Sequence, residues 1–352
     1  MLYMHVAISS LPISNSHSAR GTGVYTKELI KALKKYEPQH SYTLFTHAKD
    51  VPIDADIVHY PYFDPFFLTL PLRKRVPTVV TVHDLIPLVF PDKFPAGIRG
   101  MIKWQIQKAA LRKSGRIITV SECSKNDVRR LVGIDERKID VVYSAATDVY
   151  QNITNSTVLN KLKKKYALPE NYFMYVGDVN WNKNIPGMIR AFADFLKKSN
   201  GYHLVLVGRA FLDGTLRETR VIRSVIQELQ IADHMIYTGY VTDEALAGLY
   251  SMASCSLEPS YYEGFGLPVL ESMASGCPVL VADNSSLSEI AGPSVRVDAG
   301  NIESMTSGMN RIVSLSSQDK IKLIAEGISW SKEFSWEKTA KETMSVYEKV
   351  LG

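Results

Sequence analysis

The chain has 352 residues, of which 45% are hydrophobic and 22% are charged, and its formal net charge is +5. These values are typical of a globular protein with two ordinary domains, and no apolar run approaches the roughly 20 residues that cross a bilayer. The charge is too small to imply a nucleic-acid partner, although it suits an anionic substrate or an anionic lipid surface.

The cysteines and the first residues bear on location. Cys123, Cys255 and Cys277 are odd in number and widely spaced, which favours a reducing compartment over a disulfide framework or a zinc site. Residues 1–14 have no basic region ahead of their apolar residues and no small-residue cleavage site, so they predict a first strand and not a signal peptide. The sequence therefore predicts a cytoplasmic protein.

Apolar runs of strand length alternate with helical patterns along the chain, which is typical of α/β domains with parallel sheets. The strands predicted in the first half are Met4–Ser9, Tyr42–Thr46, Asp56–Tyr60, Thr78–His83, Arg116–Ser121 and Ile139–Tyr143. Those predicted in the second half are Tyr172–Gly177, His203–Gly208, Met235–Thr238, Cys255–Leu257, Pro278–Val281 and Val295–Val297. The polar stretch Gln151–Asn160 is the predicted linker. We expect an N-terminal domain over residues 1–158 and a C-terminal domain over residues 159–333.

Glycines follow the end of the first predicted strand. The run Arg20-Gly21-Thr22-Gly23 stands ahead of a predicted helix over Val24–Tyr36. Glycines at such a position let the backbone approach a phosphate at the start of a helix. On its own, however, this short motif favours a plain tight turn.

Two carboxylates stand close together in Asp54-Ala55-Asp56. Carboxylates suit hard cations such as Mg²⁺ or Mn²⁺. These two precede the apolar run of a predicted strand and lie at its amino end, so we interpret them as turn residues.

His83 ends a predicted buried strand and is followed by Asp84 and a proline-rich loop. A lone histidine is more often a satisfied core residue, but its place at the carboxyl end of a strand favours a position facing a cleft.

The segment Ile98–Arg116 predicts a basic amphipathic helix. Its apolar side is predicted to hold Ile98, Ile102, Ile106, Ala109 and Ala110. A solvated outer helix is the favoured interpretation, and peripheral contact with an anionic membrane stays open.

The stretch Glu258–Gly276 combines a strand, a glycine-containing loop and a helix. Glu263 lies in the loop, and Glu271 lies eight residues later in the predicted helix. Glycines allow a ligand to approach the backbone, and the amides of Gly266 and Leu267 at the helix start form an anion site. Amides for a phosphate and carboxylates for hydroxyl groups suit a nucleotide sugar.

This E-x7-E spacing around F-G-L-P resembles the signature of the family 4 retaining glycosyltransferases, which have the GT-B fold of two Rossmann-like, doubly wound α/β domains facing across a cleft. The resemblance implies that Glu263 meets the transferred sugar and Glu271 meets the ribose hydroxyls. It further implies that sugar and phosphate meet the backbone of Gly264, Phe265, Gly266 and Leu267.

The resemblance implies roles for residues elsewhere in the chain. Gly21 and Gly23 would lie beside the donor phosphate and the acceptor, His83 would border the sugar, and the backbone of Tyr240 and Val241 would meet the base. The residues after 333 would form a terminal helix, predicted over Glu337–Leu351, that crosses back to the N-terminal, acceptor-side domain; the C-terminal domain would bind the donor.

Cations must stabilise a diphosphate leaving group when no metal does so. Lys183 matches the family's lysine before asparagine, but Asp178 stands where relatives often carry arginine. Arg209, at the end of another predicted strand, is the candidate for the second charge.

We therefore expect a retaining, metal-independent transfer of a hexose from a nucleotide diphosphate sugar to a hydroxyl acceptor, without a cofactor. The acceptor would be a glycan or a lipid-linked glycan. The residues around His83 most resemble bacterial enzymes that add mannose to surface polysaccharides, which favours GDP-mannose, while a UDP-sugar with glucose or N-acetylglucosamine stays open. The alternatives are a pyridoxal-dependent phosphorylase, a nucleotide-sugar epimerase or hydrolase, and a nucleotide-sugar-binding protein without transferase activity.

Overall fold

The computed structural model describes residues 3–14 and 21–352. The chain forms two compact units, one of Met1–Ala145 with Phe334–Gly352 and one of Ala146–Glu333. The stretch predicted as the linker, Gln151–Asn160, lies within the second unit, and the helix Ser156–Lys165 begins inside it. No helix in the described part of the chain is long and apolar enough to span a membrane.

The first unit is built on a parallel six-stranded sheet with the order β2-β1-β3-β4-β5-β6. Its strands are β1 (His5–Ser9), β2 (Ser41–Phe45), β3 (Ile57–Tyr60), β4 (Thr78–Val82), β5 (Arg116–Thr119) and β6 (Ile139–Val141). Strands β3 and β4 are buried along their whole length, as expected for apolar runs covered on both faces of a parallel sheet. The strands predicted for this half are confirmed to within a few residues.

The helices of this part of the chain are α1 (Leu11–Ser14), α2 (Gly21–Tyr36), α3 (Ile86–Val89), α4 (Gly97–Arg112) and α5 (Glu122–Asp127), and a π-helical turn, Val128–Val132, follows α5. The prediction placed Gly21 and Gly23 in a loop ahead of the helix. Helix α2 instead begins at Gly21, so both glycines lie in its first turn. Arg20 lies outside the described residues.

Helix α4 corrects the predicted apolar side of the basic segment. Its buried residues are Gly100, Trp104, Gln107, Ala110 and Leu111, whereas Ile98 and Ile102 are 83% and 58% exposed. The polar Gln107 is buried because its side-chain oxygen accepts hydrogen bonds from the amides of Thr69 (3.0 Å) and Leu70 (2.9 Å). A polar residue thus occupies the core side of the helix, and Ile98 and Ile102 occupy its outer side.

The second unit also has a parallel six-stranded sheet, with the order β12-β11-β10-β7-β8-β9. Its strands are β7 (Tyr172–Val176), β8 (His203–Val207), β9 (Met235–Gly239), β10 (Cys255–Glu258), β11 (Val279–Ala282) and β12 (Val295–Val297), close to the predicted bounds. Strand order reverses between β7 and β10, and in such sheets ligands bind beyond the carboxyl ends of the strands at this switch point.

The remaining helices are α6 (Ser156–Lys165), α7 (Ile185–Leu196), α8 (Arg217–Glu228), α9 (Asp243–Met252), α10 (Leu267–Ala274), α11 (Leu287–Ile290), α12 (Ile302–Val313), α13 (Ser317–Ser331) and α14 (Trp336–Leu351). Helix α14 is part of the first unit, where it packs against α2, β4 and β5. Its buried residues include Met344, Val346 and Tyr347.

Candidate active site

Residues that follow β7 and β10 form the centre of the candidate site. Because β7 and β10 are parallel neighbours, with Cys255 opposite Phe173, the loops after them leave the same edge of the sheet. The loop after β7 carries Lys183, in the turn Trp181–Lys183, and the loop after β10 carries Glu263. The switch point of the sheet thus brings together two residues that lie far apart in the sequence.

Lys183 and Glu263 form an ion pair, with 2.7 Å between Nζ and Oε1. The side chains are 25% and 11% exposed, and the Ser260 hydroxyl donates a second hydrogen bond, 2.6 Å long, to the same carboxylate oxygen. Burial lowers the pKa of Lys183, but the charge and hydrogen bond of Glu263 outweigh it, so the net pKa is raised and the amine stays protonated.

The loop around Glu263 is fixed by polar side chains from other segments. Ser285 Oγ accepts a 3.0 Å hydrogen bond from the Glu263 amide. Ser286 Oγ lies 2.9 Å from the carbonyl oxygen of Glu263 and 3.0 Å from that of Phe265. Asn182 Nδ2 donates to the Tyr262 carbonyl at 3.0 Å. These contacts hold the loop backbone, including Gly264, in one conformation.

Gly266 makes the sharp turn into helix α10. Its φ angle of 103° is in the range that favours glycine. A Cβ atom there would also lie 2.6 Å from Leu287 Cδ2. Helix α10 begins at Leu267 with Pro268 in its first turn and ends before Gly276, as predicted.

Glu271, on α10, belongs to a polar cluster that sequence reasoning only partly found. Burial, followed by the charge of Asp243, raises the pKa of the Glu271 carboxyl to about 8, while a hydrogen bond with Tyr150 opposes the rise. The Tyr150 hydroxyl oxygen also lies 3.3 Å from Asp243 Oδ1. No local pattern in the sequence marks Asp243 or Tyr150 as a site residue.

Glu258, the last residue of β10, is another acid at this edge of the sheet. It is 5% exposed, and the Ser256 hydroxyl donates to its Oε1 at 3.3 Å. Burial raises the pKa of Glu258 well above its usual value, although the positive charge of Lys183 opposes the rise. A buried carboxyl group with a raised pKa therefore lies near the Lys183–Glu263 pair.

Arg209 and Tyr240 follow the neighbouring strands β8 and β9. The Arg209 guanidinium lies 4.7 Å from the centre of the Tyr240 ring, which is a cation–π distance. Tyr240 is 56% exposed, while Val241 is buried. The Asp178 carboxylate accepts a 2.8 Å hydrogen bond from the Val179 amide.

His83 and the two glycines Gly21 and Gly23 belong to the first unit. His83 directly follows β4, and its Nε2 lies 3.0 Å from the Pro61 carbonyl oxygen. Because a carbonyl oxygen only accepts, we assign the ring proton to Nε2. Burial lowers the pKa of His83 to about 4, although the bond to Pro61 opposes this. The ring is therefore neutral near pH 7.

Asp54 and Asp56 lie at the opposite, amino end of the sheet. Asp56 Oδ2 accepts a 2.8 Å hydrogen bond from the His5 amide, and Asp54 Oδ2 lies 3.2 Å from His5 Nδ1. Their contacts fit the turn role predicted for them.

Two family models match this chain. Residues 160–328 match the model described as "Glycosyl transferases group 1", and residues 32–146 match the one described as "Glycosyltransferase Family 4". The chain belongs to these glycosyltransferases. The predicted family and enzyme class are thus confirmed.

Relatives of this glycosyltransferase include enzymes of O-antigen synthesis. The chain is 28% identical over 297 residues to O-antigen chain mannosyltransferase B of Escherichia coli, covering 83% of this chain and 75% of that one. It is 31% identical over 219 residues to the O-antigen chain mannosyltransferase RfbU of Salmonella typhimurium, covering 61% and 54%. The chain thus spans about half of the length of RfbU.

Solved structures confirm the fold. Sucrose-phosphate synthase from Thermosynechococcus elongatus has a TM-score of 0.77 at 19% identity, with 98% of each chain covered. The predicted GT-B fold of the glycosyltransferase is therefore confirmed, while the roles of individual site residues stay predictions.

Proposed function

We propose that this glycosyltransferase transfers mannose from a nucleotide diphosphate sugar to a hydroxyl of a glycan or lipid-linked glycan, with retention at the anomeric carbon and without a metal. The Lys183–Glu263 pair at the switch point of the second sheet is the observation that carries this proposal. The O-antigen mannosyltransferases among its relatives favour mannose as the sugar.

In this proposal, Lys183 binds the departing diphosphate and Glu263 accepts hydrogen bonds from sugar hydroxyls. The bond between the anomeric carbon and the phosphate oxygen breaks, and the electron pair leaves with the diphosphate. The acceptor oxygen bonds to the anomeric carbon on the same face, and its proton passes to the departing phosphate. A positioned cation that stabilises developing phosphate charge is an effective catalytic device.

The remaining donor contacts are assigned to groups at the same sheet edge. Glu271 would hold the ribose, and the backbone of Tyr240 and Val241 would meet the base. The amides at the start of α10, from Gly264 to Leu267, would bind sugar and phosphate. Arg209 would supply the second positive charge by turning from the Tyr240 ring toward the diphosphate.

Residues of the first unit complete the proposed roles. A neutral His83 would border the transferred sugar as a hydrogen-bonding group and not as an imidazolium, which fits its lowered pKa of about 4. Gly21 and Gly23, in the first turn of α2, would lie beside the donor phosphate.

A donor screen tests the proposal. The enzyme is incubated with GDP-mannose, UDP-glucose or UDP-N-acetylglucosamine and a mannose-terminated lipid-linked acceptor, and the product is analysed by NMR. We expect an α-mannoside from GDP-mannose, which itself has the α configuration. A β product would refute retention, and a glucosylated product would show that the transferred sugar is glucose and not mannose. Binding of a donor without any product would favour the non-catalytic alternative.

We also propose peripheral contact between the first unit and an anionic membrane. Met101 (48%), Phe67 (63%) and Leu68 (62%) are exposed together with Ile98 and Ile102. Lys103 Nζ, on α4, lies 5.2 Å from the centre of the Phe67 ring and so links Phe67 with this helix. Exposed apolar residues beside basic ones suit the surface of an anionic bilayer.

Vesicle sedimentation tests this contact. Ile98→Ser combined with Ile102→Ser should reduce binding to anionic vesicles, whereas Ile321→Ser, which changes a similarly exposed residue (69%) of the second unit, should not. Equal sedimentation of all three proteins would refute the contact.

A further inference from the structure

A continuous series of side-chain contacts connects the terminal helix α14 with His83. Tyr347 Oη lies 2.6 Å from His59 Nδ1, and His59 Nε2 lies 2.8 Å from Thr81 Oγ1. The Tyr25 hydroxyl lies 3.4 Å from the same Thr81 oxygen. The Tyr25 ring meets the His83 ring edge to face, with 4.6 Å between the ring centres. All five residues belong to the first unit.

The first four of these side chains are almost completely buried. His59, Thr81 and Tyr347 are 0% exposed, and Tyr25 is 1% exposed. A buried polar group that loses its partner has no water to replace it, so each hydrogen bond in the series restricts its neighbours. The series therefore favours one arrangement of the side chains.

The protonation of His59 couples the two ends of the series. Burial, and then the nearby His83, lower the pKa of His59 to about 3, so its ring is neutral with one donor and one acceptor nitrogen. If Nδ1 donates to Tyr347, then Nε2 must accept from Thr81. Thr81 has no second proton, so Tyr25 must then donate to it.

Helix α14 also reaches Tyr25 directly. Trp336, the first residue of α14, lies with its ring centre 5.9 Å from that of Tyr25. Tyr25 is thus held by the start of α14 through Trp336 and by the end of α14 through Tyr347, His59 and Thr81. The Tyr25 ring in turn packs against the imidazole of His83, whose Nε2 donates a hydrogen bond to the Pro61 carbonyl oxygen.

We propose that Tyr347 and His59 are positioning residues through which the terminal helix sets the ring orientation of His83. The effect on catalysis rests on the role assigned to His83 in the proposed function. The effect on ring orientation does not, and it is measured separately.

The test variant is Tyr347→Phe in the full-length enzyme, which removes one hydroxyl and keeps the ring. We expect the ring-nitrogen NMR signals of His83 to shift and kcat to fall by about 5-fold, with the KM for the donor little changed, because one hydrogen bond is lost. Tyr25→Phe removes a hydroxyl from the other end of the series. It should give the same changes and serves if Tyr347→Phe does not fold.

Tyr172→Phe is the matched control. Tyr172 is a buried tyrosine of the second unit whose hydroxyl donates to the Leu249 carbonyl at 2.6 Å. Loss of the Tyr172 hydroxyl should lower the melting temperature by about as much as loss of the Tyr347 hydroxyl does, and the NMR signals of His83 should stay unchanged.

Unshifted His83 signals in Tyr347→Phe and Tyr25→Phe would overturn the proposal. If the signals shift while kcat is unchanged, the catalytic part of the proposal is overturned. His83→Ala then locates the failure, because full activity of that variant would show that the role given to His83 in the proposed function is wrong.

Discussion

Lys183 Nζ and Glu263 Oε1 are 2.7 Å apart, so the cation proposed for the diphosphate and the carboxylate proposed for the sugar neutralise each other when no donor is bound. With the roles proposed for the two residues, donor binding would replace this contact with two others. Removing one member of the pair should affect the intact donor and the free diphosphate differently.

Glu263→Gln should lower kcat/KM for the sugar donor by about 10- to 100-fold, because charge-assisted hydrogen bonds to the sugar are lost. The affinity for GDP alone, which lacks the transferred hexose, should not fall, since Lys183 is no longer held by the carboxylate. Steady-state kinetics and calorimetric titration with GDP measure the two effects. Parallel losses in both would contradict the separate roles of the two residues.

The Glu271 carboxyl makes stability depend on pH. Its pKa of about 8 in the folded protein is above the usual 4.5, so the folded state keeps the proton while the unfolded state releases it. The contribution of Glu271 to the free energy of unfolding therefore falls as pH rises from about 4.5 to about 8 and is constant above that. The melting temperature of Glu271→Gln relative to the wild type should rise across this window.

Asp243→Asn provides a check on the cause. Removing the negative charge of Asp243 should lower the pKa of Glu271, so the pH-dependent loss of stability should become smaller. An identical pH profile in this variant would contradict the electrostatic origin of the shift.

His83 and His59 act in the opposite direction. Their folded-state pKa values, about 4 and about 3, lie below the usual 6.5, so the unfolded state binds protons first as pH falls. The stability that they contribute is present above about pH 6.5 and is lost progressively toward about pH 3. NMR titration should show both rings neutral at about pH 5.5, and a charged His83 at that pH would contradict the desolvation that lowers its pKa.

Gly266→Ala should destabilise the second unit by about 1–3 kcal/mol and weaken donor binding, because alanine strains a φ of 103° and its Cβ clashes with Leu287. Gly201→Ala is the control, since a Cβ at Gly201 meets nothing within 4 Å. Denaturant unfolding measures both variants. A Gly266→Ala protein as stable as the control would show that this turn tolerates a side chain.

Patterns formed by neighbouring residues in the sequence predicted the fold and part of the candidate site. Apolar runs marked the strands, and Pro268 with Gly276 marked the bounds of α10, because these signals act over a few residues. Ser285 and Ser286 support Glu263 from a distant loop, and Tyr150 reaches Asp243 from the start of the second unit. No local pattern encodes such long-range contacts.

The error at α4 has a different physical cause. The spacing of apolar residues assigns the isoleucines to the core side of α4. The Gln107 side chain, however, accepts hydrogen bonds from the amides of Thr69 and Leu70, and this requires the side of the helix that carries Gln107 to face inward. The misplaced start of α2 shows a related limit, since Gly21 and Gly23 permit a loop without requiring one.

Calorimetric titration with GDP-mannose tests the central claim most directly. The proteins compared are the wild type, Lys183→Met and Lys197→Met. Lys197 also forms a 2.7 Å ion pair in the second unit, with Asp194, but at the exposed C-terminal end of α7. We predict that Lys183→Met weakens binding by about 10- to 100-fold and that Lys197→Met leaves it unchanged. Equal affinities for all three proteins would contradict a donor site at the Lys183–Glu263 pair.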